Sequence, residues 1–110
     1  MREKVIEKYL CQEVKKLGGK AYKFSSLNNN AVPDRLCLFP FGIIVFVECK
    51  APGQLPTPLQ YKCHRELNGL GQLVAVIDTK EKVDEFINTT RTWISKQTRV
   101  FKKMNGGYNG

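Results

Sequence analysis

Apolar residues recur at helical spacing near the start of the chain. Val5, Ile6, Tyr9, Leu10, Val14 and Leu17 form one stripe, and Gly18-Gly19 supplies the stop, which predicts a helix over 2–17. The stretch KAYKF (20–24) predicts a short strand, and the polar run SSLNNNAVP (25–33) a loop ending in proline. Residues 34–39 and 43–49 are apolar at almost every position. That pattern predicts two central strands, covered on both faces. The link PFG is read as a three-residue hairpin loop, with Pro40 at the first turn position and Gly42 in the left-handed third.

After a proline-rich loop (51–58), Thr57 is a good N-cap and Pro58 a good first helical residue. A helix over 58–70 follows, with Leu59, Cys63, Leu67 and Leu70 expected inward and Gly71 at its end. QLVAVID (72–78) predicts a strand. Thr79 then caps a helix over 80–88, with Val83, Phe86 and Ile87 inward. Part of the basic segment 89–110 is expected to continue this helix, and its last six or so residues to be disordered. The order α-β-β-β-α-β-α implies an α/β fold: a mixed sheet with helices on both faces.

Against this apolar background three charges stand out. Asp34 opens the first central strand, and Glu48 and Lys50 close the second. A loop at 40–42 pairs Phe39 with Ile43, so residues whose numbers sum to 82 lie opposite one another. Asp34 then faces Glu48 on one side of the sheet, with Lys50 on that same side if the strand continues. Two carboxylates held so close repel, and a divalent cation shared between them removes the conflict. Mg2+ or Mn2+ suits two carboxylates, the backbone carbonyl of Cys49 and several waters. Lys50 would neutralise charge or help activate water, giving a metal-hydrolysis site. The plainer alternative is a set of solvated strand ends, and a one-residue slip would separate the acids.

Composition changes the picture in two ways. The chain has 110 residues, enough for one domain, and carries a net charge of +8. Such a balance suits a polyanionic partner, nucleic acid above all, or simply a basic protein. The four cysteines are widely spaced and there is one histidine, which argues against zinc and against a disulfide framework. With no signal-peptide pattern and no membrane-length apolar run, an intracellular, cytoplasmic setting is expected, with the cysteines acting as small hydrophobes.

PD at 33–34 followed by ECK at 48–50 resembles the PD-(D/E)XK nuclease signature. The longer stretch AVPDRLCLFPFGIIVFVECKAPGQLPTPLQ resembles the VRR-NUC family (virus-type replication-repair nuclease), and the similarity extends over roughly residues 3–88. The resemblance implies a restriction-endonuclease-like fold, with a nuclease domain over 1–90 and a basic extension over 91–110. It implies metal-dependent cleavage of DNA phosphodiesters on branched DNA or Holliday junctions, by a small phage-type or bacterial nucleoid-associated member acting as a homodimer. Residue by residue, it makes Asp34 and Glu48 metal ligands, Lys50 the catalytic lysine and Gln60 a contact to water or phosphate. It also places a first-helix acid at the site: Glu7, directly or through water, with Glu3 as runner-up. Glu13 fits a paired, partly buried acid. Ala31 stands where the family has glycine, and Cys49 where it has an aliphatic residue.

Lys23, Arg35, Lys62, Arg91, Lys102 and Lys103 are candidate DNA-backbone contacts, each also readable as a solvated charge. His64 can reach a phosphate or be structural, and Trp93 can stack or pack. Neither a small-molecule organic cofactor nor a membrane is implied. A non-catalytic module or accessory subunit that keeps the nuclease scaffold while binding structured DNA is the alternative function.

Overall fold

The hairpin fixes the centre of the fold. In the computed structural model, which describes residues 2–105, β2 (Arg35–Leu38) and β3 (Ile44–Cys49) pair antiparallel. Arg35 lies opposite Val47 and Cys37 opposite Val45, the register expected from the loop length. The loop itself, Pro40–Gly42, winds into a 3-10 turn in which the Phe39 N–H donates to the Ile43 carbonyl at 2.8 Å. Gly42 is left-handed, and so is Phe41, the one non-glycine residue with positive φ among the described residues. The cost for such a residue is about 1–2 kcal/mol. The Phe41 ring offsets part of it by packing on Phe101, 6.1 Å between centroids. Ala31, where the family resemblance expects glycine, does not have positive φ, so its methyl group imposes no backbone strain.

β1 (Lys20–Lys23) pairs antiparallel with β2, and β4 (Leu73–Ile77) pairs parallel with β3. The sheet order β1-β2-β3-β4 therefore puts the two strands of the hairpin in the middle and the wholly apolar β4 at one edge. Strand alternation sorts the side chains. Cys37, Val45, Val47 and Cys49 are buried with Ile6, Leu10 and Val14 of α1 (Glu3–Lys16) and Val83 and Ile87 of α3 (Lys80–Met104). Each such aliphatic side chain contributes about 1.5–3 kcal/mol on burial. The opposite face holds Phe46, edge-on to Phe24 at 5.6 Å, and is covered by α2 (Pro58–Gly69), the crossover between β3 and β4.

Two elements differ from expectation. In α2 the buried residues are Cys63 and His64, with Gln60 and Leu67 half-buried, whereas Leu59 and Leu70 face water. The helix is turned so that its polar Gln60 faces the sheet, and the leucine stripe gives way. The third helix continues past Asn88 as expected, but runs much further, to Met104. Its inward positions beyond Ile87 include Thr90 and Thr98, whose hydroxyls donate to the carbonyls of Phe86 and Ile94 at 2.9 Å each. Polar residues at core-facing positions hid the helical period there. The terminal residues expected to be disordered lie largely outside the described residues. Among the described residues no helix is long and apolar enough to cross a membrane.

Candidate functional site

The ladder from Arg35–Val47 places Asp34 opposite Glu48 one step further along. Both ends of the hairpin are tied down there. The Phe24 N–H donates to the Asp34 carbonyl at 2.9 Å, and the Lys50 N–H to the Ile77 carbonyl at 2.9 Å. The Cys49 N–H donates to Oδ1 of Asp34 at 3.1 Å, while the Cys49 side chain is buried in the core. Lys50 Nζ stands 3.7 Å from Oε2 of Glu48.

From the other side α2 supplies Gln60. Its Nε2 donates to Oε2 of Glu48 at 3.4 Å, and its Oε1 accepts from the Thr57 N–H at 2.9 Å. The Thr57 hydroxyl in turn accepts from the Gln60 N–H, completing a capping box. Oε1 of Glu48 is buried without a hydrogen-bond partner. Asp34, Glu48, Lys50 and Gln60 open onto a cleft of about 390 Å³, walled by Glu3, Phe24, Ser25, Ser26, Asn29, Asn30 and Val32.

Both sheet acids hold their protons unusually tightly. Asp34 is raised to about 6, chiefly by burial, with the charges of Glu7 and Glu3 adding to it against the Cys49 hydrogen bond and Arg35. Glu48 is raised to about 7 by burial and then by Asp34, with Lys50 opposing. Glu3, Glu7 and Asp34 each offer an oxygen within 4.8 Å of the others. Glu7 is engaged by Arg35, whose Nε lies 3.2 Å from Oε1, while Glu3 is the α1 acid that lines the cleft. Glu13 pairs instead with Lys16 at 2.8 Å. Crowded carboxylates with raised pKa values and an unpartnered oxygen are short of positive charge. A hard, oxygen-seeking divalent cation matches that donor set.

The basic candidates divide by position. Lys23 pairs with Arg35 at the site end of the sheet. Arg35 is turned toward α1 and Glu7, and its Nη1 also donates to the Ala21 carbonyl of β1 at 3.3 Å. Lys62 lines a second depression beside the cleft. Arg91 donates to the Asn88 side chain at 2.7 Å. Lys102 and Lys103 sit in the last turn of α3, next to Phe101 and hence at the hairpin end, away from Asp34 and Glu48. His64 is buried, its pKa lowered by burial and by Lys50. Trp93 is partly exposed at the hairpin end, in a depression shared with Ile44 and Leu73.

Several contributors escaped the sequence reading. Phe24, Ser25 and Ser26 wall the cleft, and Arg35, expected against the DNA backbone, clamps Glu7. The signal was present in the polar run before Pro33, which leads directly to Asp34.

No family model matches the chain. A protein described as "Putative nuclease p44", from Acyrthosiphon pisum secondary endosymbiont phage 1, is 53% identical over 81 residues, covering 74% of this chain and 87% of its own length. A solved structure described as a VRR_NUC domain superposes with a TM-score of 0.75 at 32% identity, covering 78% of this chain and 94% of that one. The paired strands, the acids at their ends and these similarities lead to one assignment: the chain belongs to the VRR-NUC family, with the restriction-endonuclease-like fold.

Proposed function

We propose that this protein is a divalent-metal-dependent DNA endonuclease that hydrolyses phosphodiester bonds, selects branched DNA such as a Holliday junction, and acts as a homodimer in replication, recombination or repair. The observation that carries the reading is the state of Glu48: raised to about 7, one oxygen buried without a partner, opposite a second raised acid. Asp34, Glu48 and the Cys49 carbonyl would hold Mg2+ or Mn2+, with Glu7 and Glu3 completing the acidic wall. The cation supplies Lewis-acid polarisation of the phosphate and makes hydroxide easier to form from water.

The protein's own groups do the rest. Lys50, held 3.7 Å from Glu48, reaches into the cleft and donates to phosphate oxygen as negative charge builds there. Gln60, fixed at both ends of its amide, orients a water or a phosphate oxygen beside Glu48. Lys23 and Lys62 meet the DNA backbone near the cleft, with Arg35 holding Glu7 in place. Residues 91–104, through Arg91, Lys102 and Lys103, form a basic extension that meets it further away. Such contacts position the duplex and carry little base readout. A cytoplasmic setting in a phage-infected bacterium belongs to the same reading, supported by the phage origin of the relative.

The test is a cleavage panel of forks, flaps, gaps, four-way junctions and matched duplex, with magnesium, with manganese and with chelator. Metal-dependent cutting of branched substrates, lost in Asp34→Asn and in Lys50→Ala with binding retained, is the expected result. Binding with no cutting under any condition would leave a DNA-binding module in place of an enzyme.

A further inference from the structure

The sheet has two edges, and they are built differently. β1 carries a lysine at each end, and Lys20 Nζ folds over the Tyr22 ring at 4.6 Å. Charged residues on an edge strand discourage other chains from pairing with it. β4, at the other edge, reads LVAVI, with no charge and no proline, and Leu73 is 44% exposed. Its backbone is open on one side. The Ile77 carbonyl accepts from the Lys50 N–H on the β3 side, so alternation turns the N–H and C=O of Val74 and Val76 outward. Among the described residues no strand pairs with that side.

Two depressions follow this edge. One, of about 490 Å³, is lined by Gly71, Gln72, Leu73 and Trp93 among others; the second, of about 330 Å³, by Ala75, Val76, Ile77 and Phe86 among others. Successive strand residues point to opposite faces, so a space that touches three in a row meets the strand edge-on. On the helix side Phe86, Thr89, Trp93 and Lys96 recur every three or four residues, so one stripe of α3 runs beside β4. The two ends of the stripe differ in charge. Lys96 stands at the Trp93 end. Glu85 stands at the Phe86 end, where the charge of Lys82 is taken up by Asp78 at 2.9 Å.

An open apolar edge whose two ends complement each other fits a twofold axis. We infer that β4 and this stripe of α3 form the surface through which two copies of the chain pair, β4 antiparallel to β4. With the axis at Ala75, Val74 of one copy lies opposite Val76 of the other, and about four backbone hydrogen bonds close the open row. The Trp93 end of each copy meets the Phe86 end of the other, which brings Lys96 toward Glu85. Glu48 is the β3 neighbour of Val76, so both acidic clefts open on one face of the joined sheet. The two Glu48 positions then stand roughly 15 Å apart, three strand spacings across. This gives the homodimer of the proposed function its surface, and it rests on that stoichiometry and not on the cleavage chemistry.

The test uses the full-length chain without DNA. Sedimentation over a range of protein concentrations gives the dimer dissociation constant, and the emission of Trp93, the one tryptophan in the chain, reports whether that side chain is covered. The parent is expected to dimerise, with Trp93 emission shifting to the red on dilution. Glu85→Lys and Lys96→Glu, both at exposed positions, should each weaken the dimer about tenfold. The double variant Glu85→Lys, Lys96→Glu should recover most of that loss, which damage to the fold would not allow. Leu73→Lys should leave a monomer with an unchanged circular dichroism spectrum.

A monomer at every concentration would overturn the inference, and so would a dimer indifferent to the single charge reversals. Failure of the double reversal to recover affinity would overturn it too. A dimer with these responses in a chain that cuts nothing leaves the surface standing while the nuclease reading fails. A monomer that cuts branched DNA leaves the nuclease reading standing without this surface.

Discussion

Gln60 donates its side-chain amide to Glu48 across 3.4 Å while the other end of that amide accepts from the N-cap of its own helix. One residue thus starts α2 and steers a site carboxylate. Replacing Gln60 with alanine removes both functions. Stability should fall by about 1 kcal/mol through the lost capping box, and cleavage by about 10- to 100-fold. Thr57→Ala should cost similar stability but keep most activity, because the Gln60–Glu48 contact survives. Thermal melts and single-turnover rates separate the two variants.

Asp34 accepts the Cys49 N–H, so the choice of substitution decides what is lost. Asn keeps an acceptor in place and removes a buried charge. Asp34→Asn should therefore fold at least as well as the parent at pH 8 while cleavage drops by at least about 100-fold. Asp34→Ala leaves the N–H unpaired and should lose about 1–3 kcal/mol in urea unfolding. Equal stability of the two variants would show that the hydrogen bond does not tie the strands.

The pH dependence without divalent metal follows from the same pair. Asp34 moves from 3.8 to about 6 and Glu48 from 4.5 to about 7 on folding. The folded state binds protons more tightly than the unfolded state, so unfolding releases them. Their contribution is most favourable below about pH 4 and drains away as pH rises through about 7. In EDTA the melting temperature should fall across that window, and Glu48→Gln should flatten the decline. Added Mg2+ or Mn2+ should raise the melting temperature more at pH 8 than at pH 5. A metal effect of the same size at both values would count against a cation held by these acids.

Asp78 tests the loop that follows Lys50. It accepts from the Gly53 N–H at 3.0 Å and pairs with Lys82 at 2.9 Å, and these contacts hold its carboxyl below the usual range. A depressed carboxylate stabilises the fold above its ordinary pKa of 3.8, and that support is lost as pH falls through the lowered value. Asp78→Asn should speed amide exchange in residues 51–57 at neutral pH. No change in exchange would mean that the loop is held by other contacts.

Gly19 is a packing position with no left-handed backbone. A Cβ there would meet the Leu38 carbonyl at 2.5 Å and the Phe39 ring at 2.9 Å. Gly19→Ala should cost about 1–3 kcal/mol in chemical unfolding and leave the substrate preference unchanged.

The sequence disclosed the hairpin and its acids because their geometry is local. A three-residue loop sets the register, and the register sets which carboxylates oppose. The inward face of α2 was not legible, since apolar periodicity assumes that a helix buries its leucines. Here the sheet end is polar and Gln60 answers it, while His64 is buried with no hydrogen-bond partner at Nε2. The reach of α3 was hidden in the same way by Thr90 and Thr98, whose hydroxyls are satisfied by their own helix and so cost little in the core. Gathering acids from α1, the start of β2 and β3 into one corner is a tertiary fact, and only the Glu7–Arg35 contact reveals why one α1 acid is tethered and the other open to the cleft.

Because α3 starts beside the end of β4 and finishes past the hairpin turn, its terminal lysines and the acidic cleft are held a strand's length apart, about 20 Å. That spacing corresponds to several base pairs of duplex, so on the proposed reading grip and incision would fall on different stretches of the same nucleic acid. Ionic strength would then act as a control on residence: salt would loosen the distant hold and leave the chemistry at the scissile bond to proceed at its own rate.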